Sequence, residues 1–470
     1  MGRRSLPGLI RWSHRRLGPP LRGIRLTLFY LCAFAVVAGV LLAEDPDRAS
    51  RTVAGGALLA FFLTALPVLR LQGRLLVLAA LIMGHLLLFR YHPALQGPGS
   101  TAAEGVRAWA EAATNGAGFA VLFAGIPFAT IFIRPGAVTP TAGAPRTRQP
   151  VGLLSVAATL FILCIALSIG ALWVTRPLYD RLSVRPGSRY RSVSAAYSGN
   201  VSVSPLDAVV NMTLVLAGIS YGAYLPYGLL LFALILAVTG LFELTTRRGA
   251  GDRAPGATAG TTAAFRGGFL RTVLVVVLVV AGKAALSLAN EVVETGLVLA
   301  GVSLLLIAAT GGPAAVFRAL QEHPVRLSQF VPVLAMIAVA LFLAATLAGT
   351  PLAELVNDAA ARAARLPLVL SALAIIALVA VLAFLGVHMF LTVGSIGALL
   401  SPASLGLSAP AFGMLLVLSY LVAMNTSPLV PFTIASAELN RGSGSLTAVR
   451  YQAPVWAVIA LLGSLILSVV

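Results

Sequence analysis

The chain has 470 residues, of which 59% are hydrophobic and 10% charged, with a formal charge of +18. A soluble globular chain is roughly 45–50% apolar and about 25% charged, so folding around one core in water is excluded and lipid has to be the solvent. The basic residues lie between apolar runs, where they act as a topology signal, and nothing along the chain resembles a nucleic-acid module.

Arg3, Arg4, Arg11, Arg15, Arg16, Arg22 and Arg25 precede the first apolar run and predict a cytoplasmic N-terminus held against anionic headgroups. The run 26–43 is long for a signal peptide and is expected to be the first span. Further spans are expected at 53–69, 75–91, 117–133 and 151–174, each near the ~20 residues that cross the hydrocarbon. Cys32 and Cys164 fall inside apolar runs and read as small buried hydrophobes, and His85 as a neutral histidine bonded to a neighbouring backbone and not a ligand. The stretch 176–204 is polar. The run 206–242 is too long for one span and is interrupted at Ser220-Tyr221-Gly222-Ala223-Tyr224-Leu225-Pro226. Spans follow at 268–290, 296–312, 330–348 and 367–387, then a small-residue segment 388–408. The run 409–437 is interrupted at Asn425-Thr426-Ser427-Pro428, and 454–470 closes the chain.

If each interrupted run crosses once, the Arg-rich connection 243–267 and the segment with Arg318 and Arg326 fall inside, while Glu291 and Glu294 fall outside. These agree with the positive-inside rule. Arg176, Arg181, Arg185, Arg189 and Arg191 disagree, since the same count puts them outside.

Residues 198–228 and 400–432 read as two copies of one design. Each has a small polar stretch, a Ser-Pro or Ser-Ala-Pro helix start, an apolar run ending near a Ser-Tyr pair, and a proline break. Five crossings per copy give two inverted repeats, 75–290 and 291–470, after an N-terminal part, 1–74, with two extra helices. The expected architecture is an all-α polytopic membrane protein of about 12 transmembrane helices. Interrupted helices at mid-membrane free backbone carbonyls and N–H groups that bind solutes and ions, because unpaired peptide groups do not survive in hydrocarbon. Proline kinks that merely pack helices are the alternative.

At these segments the chain resembles the ion transporter superfamily, which includes divalent anion:sodium symporters, citrate and C4-dicarboxylate carriers, and the large membrane subunit of TRAP transporters. The resemblance covers roughly 75–470 and implies a re-entrant hairpin before each broken helix, here about 181–204 and 388–408. The Ser-Asn-Thr signature of the symporters is matched only by Ser198-Gly199-Asn200 and Thr392-Val393-Gly394-Ser395, and Gly386-Val387-His388-Met389 lacks the family's proline. What the resemblance implies is a secondary carrier of small organic anions, coupled to Na⁺ or H⁺ and often dimeric, while the near-exclusive use of Arg over Lys with the Ala/Gly/Val/Leu bias points to a GC-rich bacterial genome and so to a bacterial cytoplasmic (inner) membrane. The resemblance implies no other cofactor.

The candidate solute- and ion-binding residues are therefore Ser198, Gly199, Asn200, Asn211, Ser220, Tyr221, Gly222, Lys283, His388, Thr392, Gly394, Ser395, Asn425, Thr426 and Ser427. Lys283 is the only lysine and lies in an apolar run, so it reads as a counter-charge or proton carrier, or else as a snorkelling cation. Asp207 sits where a carboxylate caps a helix. No catalytic triad, metal spacing or phosphate loop occurs, so an enzyme is not expected. Two other readings stay open: a membrane enzyme of lipid-linked glycan metabolism, and a membrane subunit of a multi-component transporter.

Overall fold

The computed structural model describes residues 186–205, 207–247, 291–327, 351–363, 365–440 and 444–470, with isolated residues in 119–132, 157–164, 274–282 and 337–341. Every regular element among them is helical. Lys283, His85, Cys32, the N-terminal basic run, the spans before 117 and Arg176, Arg181 and Arg185 lie outside the described residues.

Three helices form a first unit: α1 (Pro186–Val203), α2 (Ala208–Ala217) and α3 (Tyr221–Arg247). Then come α4 (Glu291–Leu327), α5 (Pro351–Ala363), α6 (Leu368–Phe384), α7 (Met389–Leu399) and a 3₁₀ turn at Pro402–Leu405. A second unit follows with α8 (Ala409–Thr426), α9 (Pro431–Leu439) and α10 (Ser445–Leu467). Helices α3, α4, α8 and α10 are long and apolar enough to cross a membrane.

The first repeat runs in a different register from the one the hydropathy pattern suggests. The interrupted helix is α1–α2, broken at Ser204–Asp207, and α3 is a complete crossing of 27 residues. Its counterpart is α8–α9, broken at Ser427–Val430, with α10 as the complete crossing. Each first helix has 18 residues, and each break carries Ser-Pro-Leu, at 204–206 and 427–429. Packing follows the same exchange. Helix α1 touches α8, α9 and α10, while α8 touches α1, α2 and α3. The interruption read in 206–242 is present, since α2 ends at Gly218 in a left-handed cap and α3 starts at Tyr221, but hydropathy passes over α1, which is polar, and so misses the break ahead of α2.

Helices α1 and α3 are antiparallel. Ser188 and Arg191 near the start of α1 bond Glu243 near the end of α3, while Ser202 at the other end meets Tyr224 and Gly228. A side-chain carbon on Gly228 would stand 2.5 Å from the Ser202 carbonyl oxygen, so glycine sets how closely the two backbones approach. The pairing also puts Arg189 and Arg191 at the same end of the bundle as Arg247.

Two further expectations change. Glu291 and Glu294 open α4 and do not form a connection, and Glu294 is buried. The chain after 312 remains helical to Leu327, with a kink where Gly312 takes φ 67°, ψ −172°, a conformation open almost only to glycine. The second hairpin begins about twenty residues earlier than expected. Its arms are α6 and α7, and the bend is Leu385–His388, with Gly386 at φ 92°. Both arms pack on α8, the most enclosed spanning helix, 83% buried against 28% for α3. The rest of α3, with Leu229, Leu236, Leu241 and Leu244 exposed, presents an apolar face suited to lipid.

Candidate functional site

Helix α1 reads PGSRYRSVSAAYSGNVSV, yet fifteen of its residues, including Arg191, five serines and Asn200, are buried. Burying so many polar groups is costly unless each is answered, so the partners define what the helix is for. Two serines bond within the helix, Ser192 Oγ to the Arg189 carbonyl (2.9 Å) and Ser202 Oγ to that of Gly199 (2.8 Å). Asn200 Nδ2 donates to the Phe161 carbonyl (3.2 Å). Arg191 Nε donates to Glu243 Oε1 (2.6 Å), Ser188 Oγ to Glu243 Oε2 (2.7 Å), and Arg191 Nη2 to Thr246 Oγ1 (3.2 Å). That pairing neutralises the guanidinium within the protein.

The two units join at Asn425. Ser194 Oγ donates to Asn425 Oδ1 (2.7 Å), and Asn425 Nδ2 donates to Ser198 Oγ (3.0 Å) and to the Leu421 carbonyl of its own helix (2.8 Å). From α10, Trp456 Nε1 donates to Ser194 Oγ (2.7 Å) and Gln452 Nε2 to the Tyr190 carbonyl (3.3 Å). All these side chains are buried, so one polar chain runs through α10, α1 and α8 out of contact with water. Tyr197 stacks on Phe432 of α9 at 4.8 Å, closing the same junction with apolar faces.

Both breaks have their freed peptide groups answered from the following helix. At the first, Asn211 Nδ2 donates to the carbonyls of Pro205 (2.8 Å) and Asp207 (2.9 Å), and Asp207 Oδ1 accepts from the Val209 N–H (2.8 Å). Tyr224 Oη donates to the Ser202 carbonyl (3.0 Å). At the second, Thr433 Oγ1 donates to the Ser427 carbonyl (2.7 Å), and Ser427 Oγ reaches the Ala383 carbonyl of α6 (2.8 Å). The bond spans six residues in each, Asn211 to Pro205 and Thr433 to Ser427.

Of the residues singled out by sequence, Ser198 and Asn425 bond each other, with Gly199 and Asn200 next along α1 and Ser427 at the second break. Gly199 leaves no room for a side chain, since an added carbon would lie 2.9 Å from the Phe232 ring. Thr426 bonds back to the Val422 carbonyl (2.7 Å). Asn211 serves the first turn, and Asp207 caps α2 as its position suggested. Thr392, Gly394 and Ser395 are buried on α7, which packs on α2 and α8, and Gly394 lies against Ala340. His388 caps α7, its Nδ1 accepting from the Phe390 N–H (3.3 Å), and its ring stacks on Phe390. Ser220 and Gly222 are exposed beyond the end of α2, and half-buried Tyr221 bonds the Val203 carbonyl with its hydroxyl. Sequence reasoning missed Ser194, Thr433, Gln452, Trp456 and the Arg191–Glu243 pair. A glutamine two residues ahead of the last apolar run and a glutamate near the end of α3 were the available signals.

No family model matches the chain, and no curated protein matches it by sequence. Solved structures share its fold. The YdaH transporter of Alcanivorax borkumensis has a TM-score of 0.54 at 17% identity, over 84% of this chain and 98% of that one. MtrF of Neisseria gonorrhoeae, described within a class of antimetabolite efflux pumps, has a TM-score of 0.50 at 12% identity, over 87% and 97%. The likeness therefore reaches the fold of membrane transporters. The ion transporter superfamily by name rests on the segment resemblance alone.

Proposed function

We propose that the chain is a secondary active transporter that moves a small organic anion across a bacterial inner membrane on a Na⁺ or H⁺ gradient. The observation that carries this reading is α1, a polar helix enclosed by protein and tied through Asn425 to a second broken helix. Membrane proteins enclose polar helices at such depth where a hydrophilic solute has to pass, because packing alone is served as well by apolar residues. The hairpin α6–α7 ahead of the broken helix α8–α9 matches the order that the ion transporter superfamily uses, and supports membership by architecture. The symmetric packing of α1–α3 and α8–α10 supports two inverted repeats.

With α1 and α3 antiparallel, Arg189, Arg191 and Arg247 share one face, taken here as cytoplasmic. The charge exception in the hydropathy parse is then lifted for Arg189 and Arg191.

The test is flux into and out of proteoliposomes holding the purified full chain, with an imposed Na⁺ or H⁺ gradient and labelled succinate among a panel of small anions. Gradient-driven movement in either direction is expected; outward movement is the direction that MtrF's description gives for that protein. No movement across the panel, under either gradient, overturns the reading.

A further inference from the structure

Helix α4 is too long to be one crossing. Its 37 residues, Glu291–Leu327, would extend about 55 Å at 1.5 Å per residue, against a hydrocarbon layer of about 30 Å. The kink at Gly312 divides it. Glu291 to Gly312 covers about 33 Å, which is one crossing, and Leu297 and Leu305 in this half are exposed as lipid-facing residues are. One residue so far from helical dihedrals turns the chain away from its former axis and frees peptide groups from the helix ladder. A side-chain carbon on Gly312 would meet nothing within 4 Å, so the break opens on the surroundings and not on protein. Hydrocarbon cannot satisfy freed peptide groups, whereas water and headgroups can, and that sets Gly312 at the membrane surface. Pro313 then opens the second half, at a position where a helix tolerates proline.

The second half presents different chemistry on each side. Ala315 and Val316 pack against the core, and Ala319 is buried. Phe317 and Leu320, three apart and therefore side by side, are 62% and 50% exposed. Arg318 and Gln321, also three apart and both exposed, lie along the neighbouring strip. In water this arrangement leaves a phenylalanine and a leucine uncovered together. At the edge of a bilayer each strip has a complement: protein on the alanines, acyl chains on Phe317 and Leu320, and the phosphate level at Arg318. We infer that residues 313–327 form an interfacial helix along the bilayer surface, with Phe317 and Leu320 in the acyl region and the Arg318 guanidinium on the phosphate of an anionic phospholipid. Lipid is the occupant because the apolar strip follows directly on a crossing that already shows leucines to lipid and is bordered by a cation. The planar guanidinium fork meets two phosphate oxygens at once. The charge pattern of the chain puts Arg318 on the cytoplasmic side, where anionic headgroups attract such residues. None of this depends on what the chain transports.

The experiment uses the full chain with Cys32→Ala and Cys164→Ala, carrying a bimane fluorophore on Leu320→Cys, in bilayers of phosphatidylcholine mixed with phosphatidylglycerol. Brominated acyl chains quench the fluorophore on contact, and brominating one lipid at a time gives the relative affinity of the two lipids at this place. Quenching by brominated phosphatidylcholine is expected, with little quenching by aqueous iodide. Phosphatidylglycerol should be favoured about fivefold, which converts the ~1 kcal/mol that one basic side chain contributes at an anionic surface. Arg318→Gln should abolish that preference and leave the acyl quenching in place, while Arg318→Lys should keep most of it. Position 320 and Arg318 are both exposed, so the label and these substitutions should leave the unfolding midpoint unchanged. Iodide quenching without bromine quenching puts the strip in water and overturns the inference. Quenching by neither shows the strip covered by protein, a second copy included, and overturns it as well. A preference for phosphatidylglycerol that is absent from the parent, or unchanged by Arg318→Gln, removes the headgroup contact.

Discussion

Replacing Asn425 with alanine tests the joint between the two units. The substitution removes two interhelical hydrogen bonds, from Ser194 and to Ser198, and one bond to the Leu421 carbonyl. Interhelical bonds in a membrane protein average about 0.6 kcal/mol each, which sets a floor near 1 kcal/mol for the pair. The ceiling is higher, because the Ser194 hydroxyl keeps its buried position with no acceptor and an unsatisfied buried group costs about 1–3 kcal/mol. A loss of about 1–4 kcal/mol is therefore expected, read as a lowered unfolding midpoint of the purified chain in detergent. Trp456 donates to the same Ser194 oxygen, so in a chain whose other three tryptophans are replaced by phenylalanine its fluorescence reports the joint. A companion chain with Asn425→Leu, Ser194→Ala, Ser198→Ala and Trp456→Phe removes both sides of each bond, the indole N–H on Ser194 included, and should recover most of the stability, because none of these side chains is left unpaired. It should not recover transport, if the polar chain serves the solute. An Asn425→Ala protein as stable as the parent, or an all-apolar joint that transports at full rate, refutes the reasoning.

Gly228→Ala should separate α1 from α3 and destabilise by about 1–3 kcal/mol, measured by thermal unfolding, since the new carbon meets the Ser202 carbonyl. Arg191→Met should cost at most about 3 kcal/mol, because Glu243 retains 15% exposure, and adding Glu243→Met with Ser188→Ala, which removes the hydroxyl that also bonds Glu243, should return the midpoint close to the parent value. Gly218→Ala forces a left-handed helix cap at φ 64° onto a residue with a side chain and should cost about 1 kcal/mol by the same measurement. Asn357 on α5 clamps the end of α7, its amide donating to the Leu399 carbonyl (2.7 Å) and accepting from the Ser401 N–H (2.8 Å). Asn357→Ala should accelerate amide exchange at Ser401 while leaving α10 unaffected.

The second break was legible because it interrupts an apolar run, and Asn425-Thr426-Ser427-Pro428 stands out against leucine and valine. Asp207 was legible as a cap because a carboxylate ahead of an apolar run has few other uses. The first break was not, and the reason is specific. Hydropathy locates helices that face lipid, whereas α1 faces protein on all sides and carries serine and arginine where a lipid-facing helix carries leucine. Only the recurring Ser-Pro-Leu at 204–206 and 427–429 marks its end in the sequence. The Arg191–Glu243 pair escaped for a related reason: a charge count treats each arginine as a free loop charge and cannot see a partner about fifty residues away.

The character of α1 also constrains how the chain is made. A stretch with two arginines, five serines and an asparagine does not partition into lipid on its own as it leaves the ribosome. It has to wait at the membrane surface or beside the insertion machinery until α3 has emerged, and its last partners, α8 and α10, are translated about two hundred residues later. Substitutions that spoil the seat for α1 on those later helices should therefore show first as poor assembly and proteolytic loss of the whole chain, before any effect on turnover can be measured.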